Sequence, residues 1–191
     1  MRAIVISEPG GPDVLKLAEV PDPVAGPGEV LVEVTGVCSS GNVAMVASVG
    51  ADHVIDYTSE DFVEAVRDFT GGHGADVILD IMGAVYLPRN VAALATGGRL
   101  VVIGLQGGSR GELDLGVLLR KRASVQAATL RSRPAAEKAA IVAAVREQVW
   151  PLISAGRVAA VIDRVLPLAD APEGHRLMES GAHVGKILLA A

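Results

Sequence analysis

Three short segments carry residue types able to touch a ligand: Asp56-Tyr57-Thr58, Asp80-Ile81-Met82-Gly83 and Gly104-Leu105-Gln106-Gly107-Gly108. Each follows a short apolar run that reads as a strand, so each falls at a strand's carboxyl end, where open parallel sheets bind ligands. Glycines after a central strand let a ligand approach the backbone closely, because no Cβ stands in the way; the same glycines also read as a flexible turn. The remaining candidates form no constellation. Cys38 and the histidines His53, His73, His175 and His183 lack metal-ligand spacing. Cys38 reads as a small apolar-like residue at the end of a strand. No G-x-S-x-G elbow presents a serine nucleophile. Arg120-Lys121-Arg122, with Arg131 and Arg133, reads as a solvated basic surface, with anion binding as the second reading. A phosphate cradle of the form G-x-G-x-x-G between a strand and a helix is absent: Gly72-His73-Gly74 is followed by Ala75-Asp76-Val77. There is also no G-x-x-x-x-G-K-[ST] loop.

The chain that must position these segments has 191 residues, 17 basic and 22 acidic, for a formal charge of −5. Half of it is apolar and only 3% aromatic, so the core must be built from Ala, Val, Leu and Ile. That apolar share excludes an intrinsically disordered chain. One cysteine excludes an internal disulfide scaffold and a multi-cysteine zinc site. The mild acidity argues against nucleic acid as a partner. The apolar runs are too short to span a bilayer, and the first residues do not fit a signal peptide, so the expectation is a cytoplasmic protein away from membranes.

Residues 1–38 read as β structure, with strands at Ala3–Ile6 and Glu29–Val34 and turns at Pro9–Pro12 and Pro27-Gly28. From about residue 43 strands and helices alternate. His53–Tyr57, Ala75–Asp80 and Arg99–Gly104 read as strands, continuous enough in apolar character to expect cover on both faces. Thr58 is placed as the N-cap of a helix whose apolar stripe is Phe62, Val66 and Phe69, ended by Gly71-Gly72. Tyr86–Ala95 reads as a second helix ended by Gly97-Gly98. The fold class is α/β: a partial doubly wound, Rossmann-like parallel sheet with a β segment before it. Ser124–Leu130 is a further strand, and Pro134 opens a long helix in which Ile141, Val142, Val145, Val149 and Leu152 face the core, with a kink at Pro151. Ala159–Leu166 and Gly185–Leu189 are strands around a helix near Ala171–Ser180.

Taken in order, MRAIVISEPGGPDVLKLAEVPDPVAGPGEVLVEV, VGADHVIDYTSEDFVEAVRDFTGGHGADVILDIMG, GGRLVVIGLQGG, LLRKRASV, LRSRPAAEKAAIV and HRLMESGAHVGKILL resemble the medium-chain dehydrogenase/reductase superfamily. The resemblance is to its zinc-free quinone oxidoreductase branch, of the p53-inducible type and its bacterial relatives. The first stretch resembles the GroES-like catalytic domain of that family and the next ones the second half of its cofactor domain. Between Cys38 and Met45 the family carries well over a hundred further residues, so the chain resembles a member with a large internal deletion, lacking the glycine-rich first strand–helix unit.

The resemblance implies NADPH as cofactor and hydride transfer to a small-molecule quinone, with no metal and no catalytic acid or base. It implies cofactor-binding roles for Tyr57 beside the adenosine phosphate, for Gly83 in the cleft wall, and for Gly104, Leu105, Gln106 and Gly107 at the nicotinamide end. It divides the chain into a GroES-like remnant (1–40), a partial cofactor domain (41–156) and a C-terminal segment (157–191) packing on the remnant. It also implies a homodimer through residues 124–130. Activity is expected to be impaired, the alternative being a non-catalytic, self-associating remnant.

Overall fold

The computed structural model describes residues 2–6, 15–19, 21, 24–27 and 30–191. The turn expected at Pro9–Pro12 lies outside them, as do Gly28 and Glu29. The strands are β1 (Arg2–Ile6), β2 (Leu15–Glu19), β3 (Thr35–Cys38), β4 (His53–Asp56), β5 (Ala75–Asp80), β6 (Leu94–Val102), β7 (Ser124–Ala127), β8 (Ile162–Pro167) and β9 (Lys186–Ala190). The helices are α1 (Val43–Ser48), α2 (Phe62–Phe69), α3 (Leu87–Ala93), α4 (Leu115–Lys121), α5 (Ala135–Gln148), α6 (Trp150–Ser154) and α7 (Ala171–Ser180). Two compact units divide the chain: residues 1–36, 41–54 and 139–191 in one, and residues 37–40 and 55–138 in the other.

The second unit is built on β5, β6 and β7, a parallel sheet in that order. Its rows are Val77–Arg99–Ser124, Ile78–Leu100–Val125, Leu79–Val101–Gln126 and Asp80–Val102–Ala127. Because side chains alternate along a strand, the second and fourth rows face one side. There Leu100, fully buried, packs with Val91, Leu94, Val117 and Leu118 of the neighbouring elements. Ile55, Phe62 and Ala93 extend this core, with Val66, Ile78 and Tyr86 against them. The other side is not covered: Val77 is 53% and Leu79 67% exposed. The sequence expectation of cover on both faces therefore fails for β5, because α2, α3 and α4 all contribute to one face.

Local boundaries also moved. Asp61, not Thr58, caps α2, accepting from the Val63 N–H at 2.8 Å and the Glu64 N–H at 3.3 Å. Thr58 is engaged elsewhere, its N–H and hydroxyl both donating to Asp56 Oδ1. The Arg89 guanidinium joins α3 to this cap at 3.0 Å from Asp61 Oδ2 and lies 4.3 Å from the Phe62 ring centre. α3 ends at Ala93 rather than Ala95, because Leu94 takes an extended conformation and pairs with Ala75. β6 then detours through Gly97, whose φ is +81°, before pairing resumes at Arg99. The strand expected at Ser124–Leu130 ends at Ala127.

In the first unit β1 and β2 form an antiparallel pair. Residues 30–34 are not the expected strand, and Val30, Leu31 and Val32 are exposed. β3 begins at Thr35, after Val34 donates its N–H to Asp52 Oδ2 at 2.7 Å. β8 and β9 are parallel, joined through α7, whose buried Gly174 sits against Leu166, Ile187 and Leu189. α5 ends at Gln148 and α6 begins at Trp150 with Pro151 in its first turn, because a proline ring cannot continue the ladder. None of the α5 residues is buried, so Ile141, Val142 and Val145 do not form the expected core face.

Candidate functional site

The carboxyl ends of β5 and β6 meet in two interlocked loops. Asp80, only 6% exposed, ends β5. Its Oδ1 accepts the Met82 N–H at 3.0 Å and its Oδ2 the Gly83 N–H at 2.7 Å. This side-chain clamp holds Gly83 at φ +75°. The loop after β6 is joined to it rung by rung. Ile103 N–H donates to Asp80 O, Gln106 N–H to Ile81 O and Gly107 N–H to Met82 O at 2.7 Å, while Ala84 N–H donates to Gly108 O.

The separation of these loops leaves no space for side chains at three glycines. A Cβ on Gly83 would lie 2.8 Å from Gly108 O, one on Gly104 2.7 Å from Ile81 O, and one on Gly107 3.0 Å from Met82 O. The glycines are thus explained by close approach of backbone to backbone, and the turn they make is fixed by its hydrogen bonds. Leu105 and Gln106 are exposed at the rim. Beside it a cavity of about 570 Å³ is lined by Ile103, Ala128, Thr129, Leu130, Arg131 and Arg133. Arg133 is held by Thr129 O and Glu137.

Tyr57 stands elsewhere, at the end of β4, with its side chain 47% exposed and its N–H donating to Cys38 O at 3.1 Å. Around it Ser40 and Thr58 hydroxyls lie 2.8 Å apart. Hydrogen bonds from the Ser40 hydroxyl and then from Thr58 hold the Asp56 carboxyl below the usual carboxylate range. Partial burial, then the Asp56 charge, pushes the Cys38 thiol up, which makes it a poorer thiolate. The structure thus brings Gly83, Gly104, Leu105, Gln106 and Gly107 together, and the interactions it records do not join Tyr57 to them. Asp80 was named within a candidate segment, but its role as the clamp that shapes the site was missed. Its signal in the sequence was an acid closing an apolar strand three residues before a glycine.

For a dinucleotide, these residues fit one end only. The two loops form a wall at the strand ends, but no glycine-rich strand–helix turn is present to hold a pyrophosphate. Among the described residues, no group of three or more His, Cys, Asp and Glu is arranged to hold a metal ion. No helix among them is long and apolar enough to cross a membrane.

Comparison with known proteins bears on this arrangement. Residues 49–189 match the family described as zinc-binding dehydrogenase. Quinone oxidoreductase 1 of Escherichia coli strain K12 is 29% identical over 170 residues, which cover 85% of this chain and 49% of the relative. The crystal structure of Escherichia coli quinone oxidoreductase complexed with NADPH superposes with a TM-score of 0.71 at 26% identity, covering 83% of this chain and 49% of that one. An NAD-dependent alcohol dehydrogenase structure is 31% identical with a TM-score of 0.69, covering 83% of this chain and 44% of that one. The chain spans about half the length of these relatives. With its parallel α/β sheet and its paired strand-end loops, the chain belongs to the zinc-binding dehydrogenase family, as a shortened, quinone oxidoreductase-like member of the medium-chain dehydrogenase/reductase superfamily.

Proposed function

We propose that the chain is the cofactor-side part of an NADPH-dependent oxidoreductase acting on a quinone or related electrophilic carbonyl, with its activity impaired. The observation that carries this reading is the clamped pair of loops at Asp80–Ala84 and Ile103–Gly108, the arrangement expected of a wall that orients a flat ring. NADPH, when bound, supplies the hydride. Gly83 and the Gly104–Gly107 loop would position its nicotinamide end, Tyr57 would lie by the adenosine phosphate, and the cavity beside Ile103 would take the quinone. The relatives' names include both NADPH and NAD, and NADPH is preferred here on the resemblance around Tyr57. The same reading assigns residues 1–40 to a GroES-like remnant, 41–156 to the partial cofactor domain and 157–191 to the segment packing on the remnant, in a cytoplasmic setting.

Without the pyrophosphate cradle several hydrogen bonds to a charged group are lost, each worth roughly 1.5–3 kcal/mol. Fluorescence titration is therefore expected to give a weak or undetectable NADPH affinity; a dissociation constant at or below low micromolar would overturn the impairment.

The alternative, a non-catalytic self-associating remnant, is favoured by β7. Ala128 N–H donates to Val102 O, so the alternate N–H of Ala127 points to the sheet's outer edge. This edge strand carries no charge and no proline to prevent pairing with a second copy. Light scattering is expected to give about twice 19.6 kDa, and Ala127→Pro to shift the mass toward monomer. A monomeric wild-type chain at tens of micromolar, or a dimer indifferent to that change, would count against it.

A further inference from the structure

We propose that a second anion site lies at the amino-terminal end of the β5–β6–β7 sheet and takes a dianionic phosphoryl group between Arg67 and Lys121. A cavity of about 210 Å³ opens there, walled by Arg67 near the end of α2, by Gly72-His73-Gly74, by Ala92–Leu94 and Thr96, and by Lys121 at the end of α4. It is at the opposite end of the strands from the clamped loops, where β5 and β6 begin.

Lys121 is drawn inward by the end of α3. Its ammonium donates to Ala92 O at 2.6 Å and Leu94 O at 2.5 Å, carbonyls at the end of α3 and the start of β6. Two of its three N–H groups are used in this way and the third remains. Burial first, and then the charge of Arg67, lowers the Lys121 pKa, so the two cations stand close enough to repel each other. Among the described residues neither has a carboxylate within 4.0 Å. His73, in the same wall, is provided for: its Nε2 is 2.9 Å from Asp76 Oδ1.

Capping α3 explains Lys121 but gives Arg67 no reason to lie beside it. A dianion between them would neutralise both, with the planar guanidinium donating to two of its oxygens and the ammonium to a third. Two carbonyls of this wall, those of Ala92 and Leu94, already accept from Lys121. Gly74 keeps this wall tight, since a Cβ there would meet Ala93 O at 2.8 Å. The cavity measures about 210 Å³. This exceeds a bare phosphate and leaves space for the ester group of a small phosphomonoester. The basic run Arg120-Lys121-Arg122 thereby acquires one member that faces inward.

Calorimetric titration of the intact chain at low ionic strength tests the site with inorganic phosphate, glycerol 3-phosphate and glycerol. Both phosphoryl probes are expected to bind and glycerol to give no heat. Tighter binding of glycerol 3-phosphate assigns the site to phosphomonoesters, and equal binding assigns it to free phosphate. Arg67→Gln is expected to weaken both by at least about tenfold with an unchanged unfolding midpoint. Lys121→Met is the companion variant, read only if it still melts cooperatively, because Lys121 also anchors α3. No heat from either phosphoryl probe, or an Arg67→Gln chain that binds as tightly as wild type, would overturn the proposal.

Discussion

The two faces of the β5–β6–β7 sheet share their backbone hydrogen bonds and differ in everything above them. On one face Ile78, Leu100, Val102 and Val125 lie under α2, α3 and α4, and Leu100 loses all contact with solvent. On the other, Val77, Leu79 and Ile103 remain 53%, 67% and 48% exposed. The residue types are the same, so intrinsic strand preference cannot separate them. What separates them is a layer of helices, which removes apolar surface from water at about 25 cal/mol for each Å² covered. A parallel sheet ordinarily carries helices on both faces, and in this unit one face lacks them. The ladder fixes where the strands run, while the helices determine how much stability each strand returns.

The largest test of that contrast is a matched truncation. Leu100→Ala is expected to cost about 3 kcal/mol in urea unfolding, against no more than about 0.5 kcal/mol for Leu79→Ala. Equal losses would break the comparison. Gly83→Ala comes next, at about 1–3 kcal/mol, because it strains a left-handed residue and pushes on Gly108 O and Leu105. Any measurable NADPH binding should fall with it; a variant as stable as wild type would mean that the clamped loops yield freely.

The covered face also has an acid dependence. The Val63 N–H chiefly, with the Glu64 N–H and Arg89, holds the Asp61 carboxyl below its usual range, outweighing partial desolvation. A carboxyl depressed in the folded state contributes fully above its unfolded pKa, near ~3.9, and loses that contribution as pH falls through the folded value. Asp61→Asn keeps an oxygen to cap α2 and removes the titration. The stability gap between wild type and this variant is expected to widen from about pH 2 to pH 5; a constant gap would show that the cap does not titrate. The smallest effect belongs to the open face. Leu79→Lys should reduce fluorescence of a bound hydrophobic dye while changing stability by at most about 0.5 kcal/mol.

Much of this was legible where local chemistry decides. β5 stands at Ala75–Asp80 and α7 at Ala171–Ser180, as read from glycine-bounded apolar stretches and helical spacing. The parallel α/β class followed from strands alternating with helices, and the strand-end glycines Gly83 and Gly104 marked both loops that the structure clamps. What the sequence hid depends on partners. Thr58 and Asp61 are both good caps, and the choice fell to Asp61 because Asp56 had already engaged Thr58. Residues 30–34 are as rich in valine as a strand but lie exposed. The apolar spacing of α5 suggested a core face, yet Val142 is 62% exposed. The role of Asp80 was obscured because a buried acid is recognised only by the amides that converge on it.

The detour in β6 bears on how the chain tolerates change in length. Between the pairs Ala75–Leu94 and Val77–Arg99, β6 uses three more residues than β5. Gly97 projects into open space there, with nothing within 4 Å of where a Cβ would be. Residues added at this point lengthen an exposed loop, at an entropic cost that grows only logarithmically. The pairs from Arg99 to Val102, and with them the clamp beyond, keep their register. The tip at Gly97 is therefore a slot where an insertion, a reporter peptide or a protease site can be accommodated in the middle of a central strand.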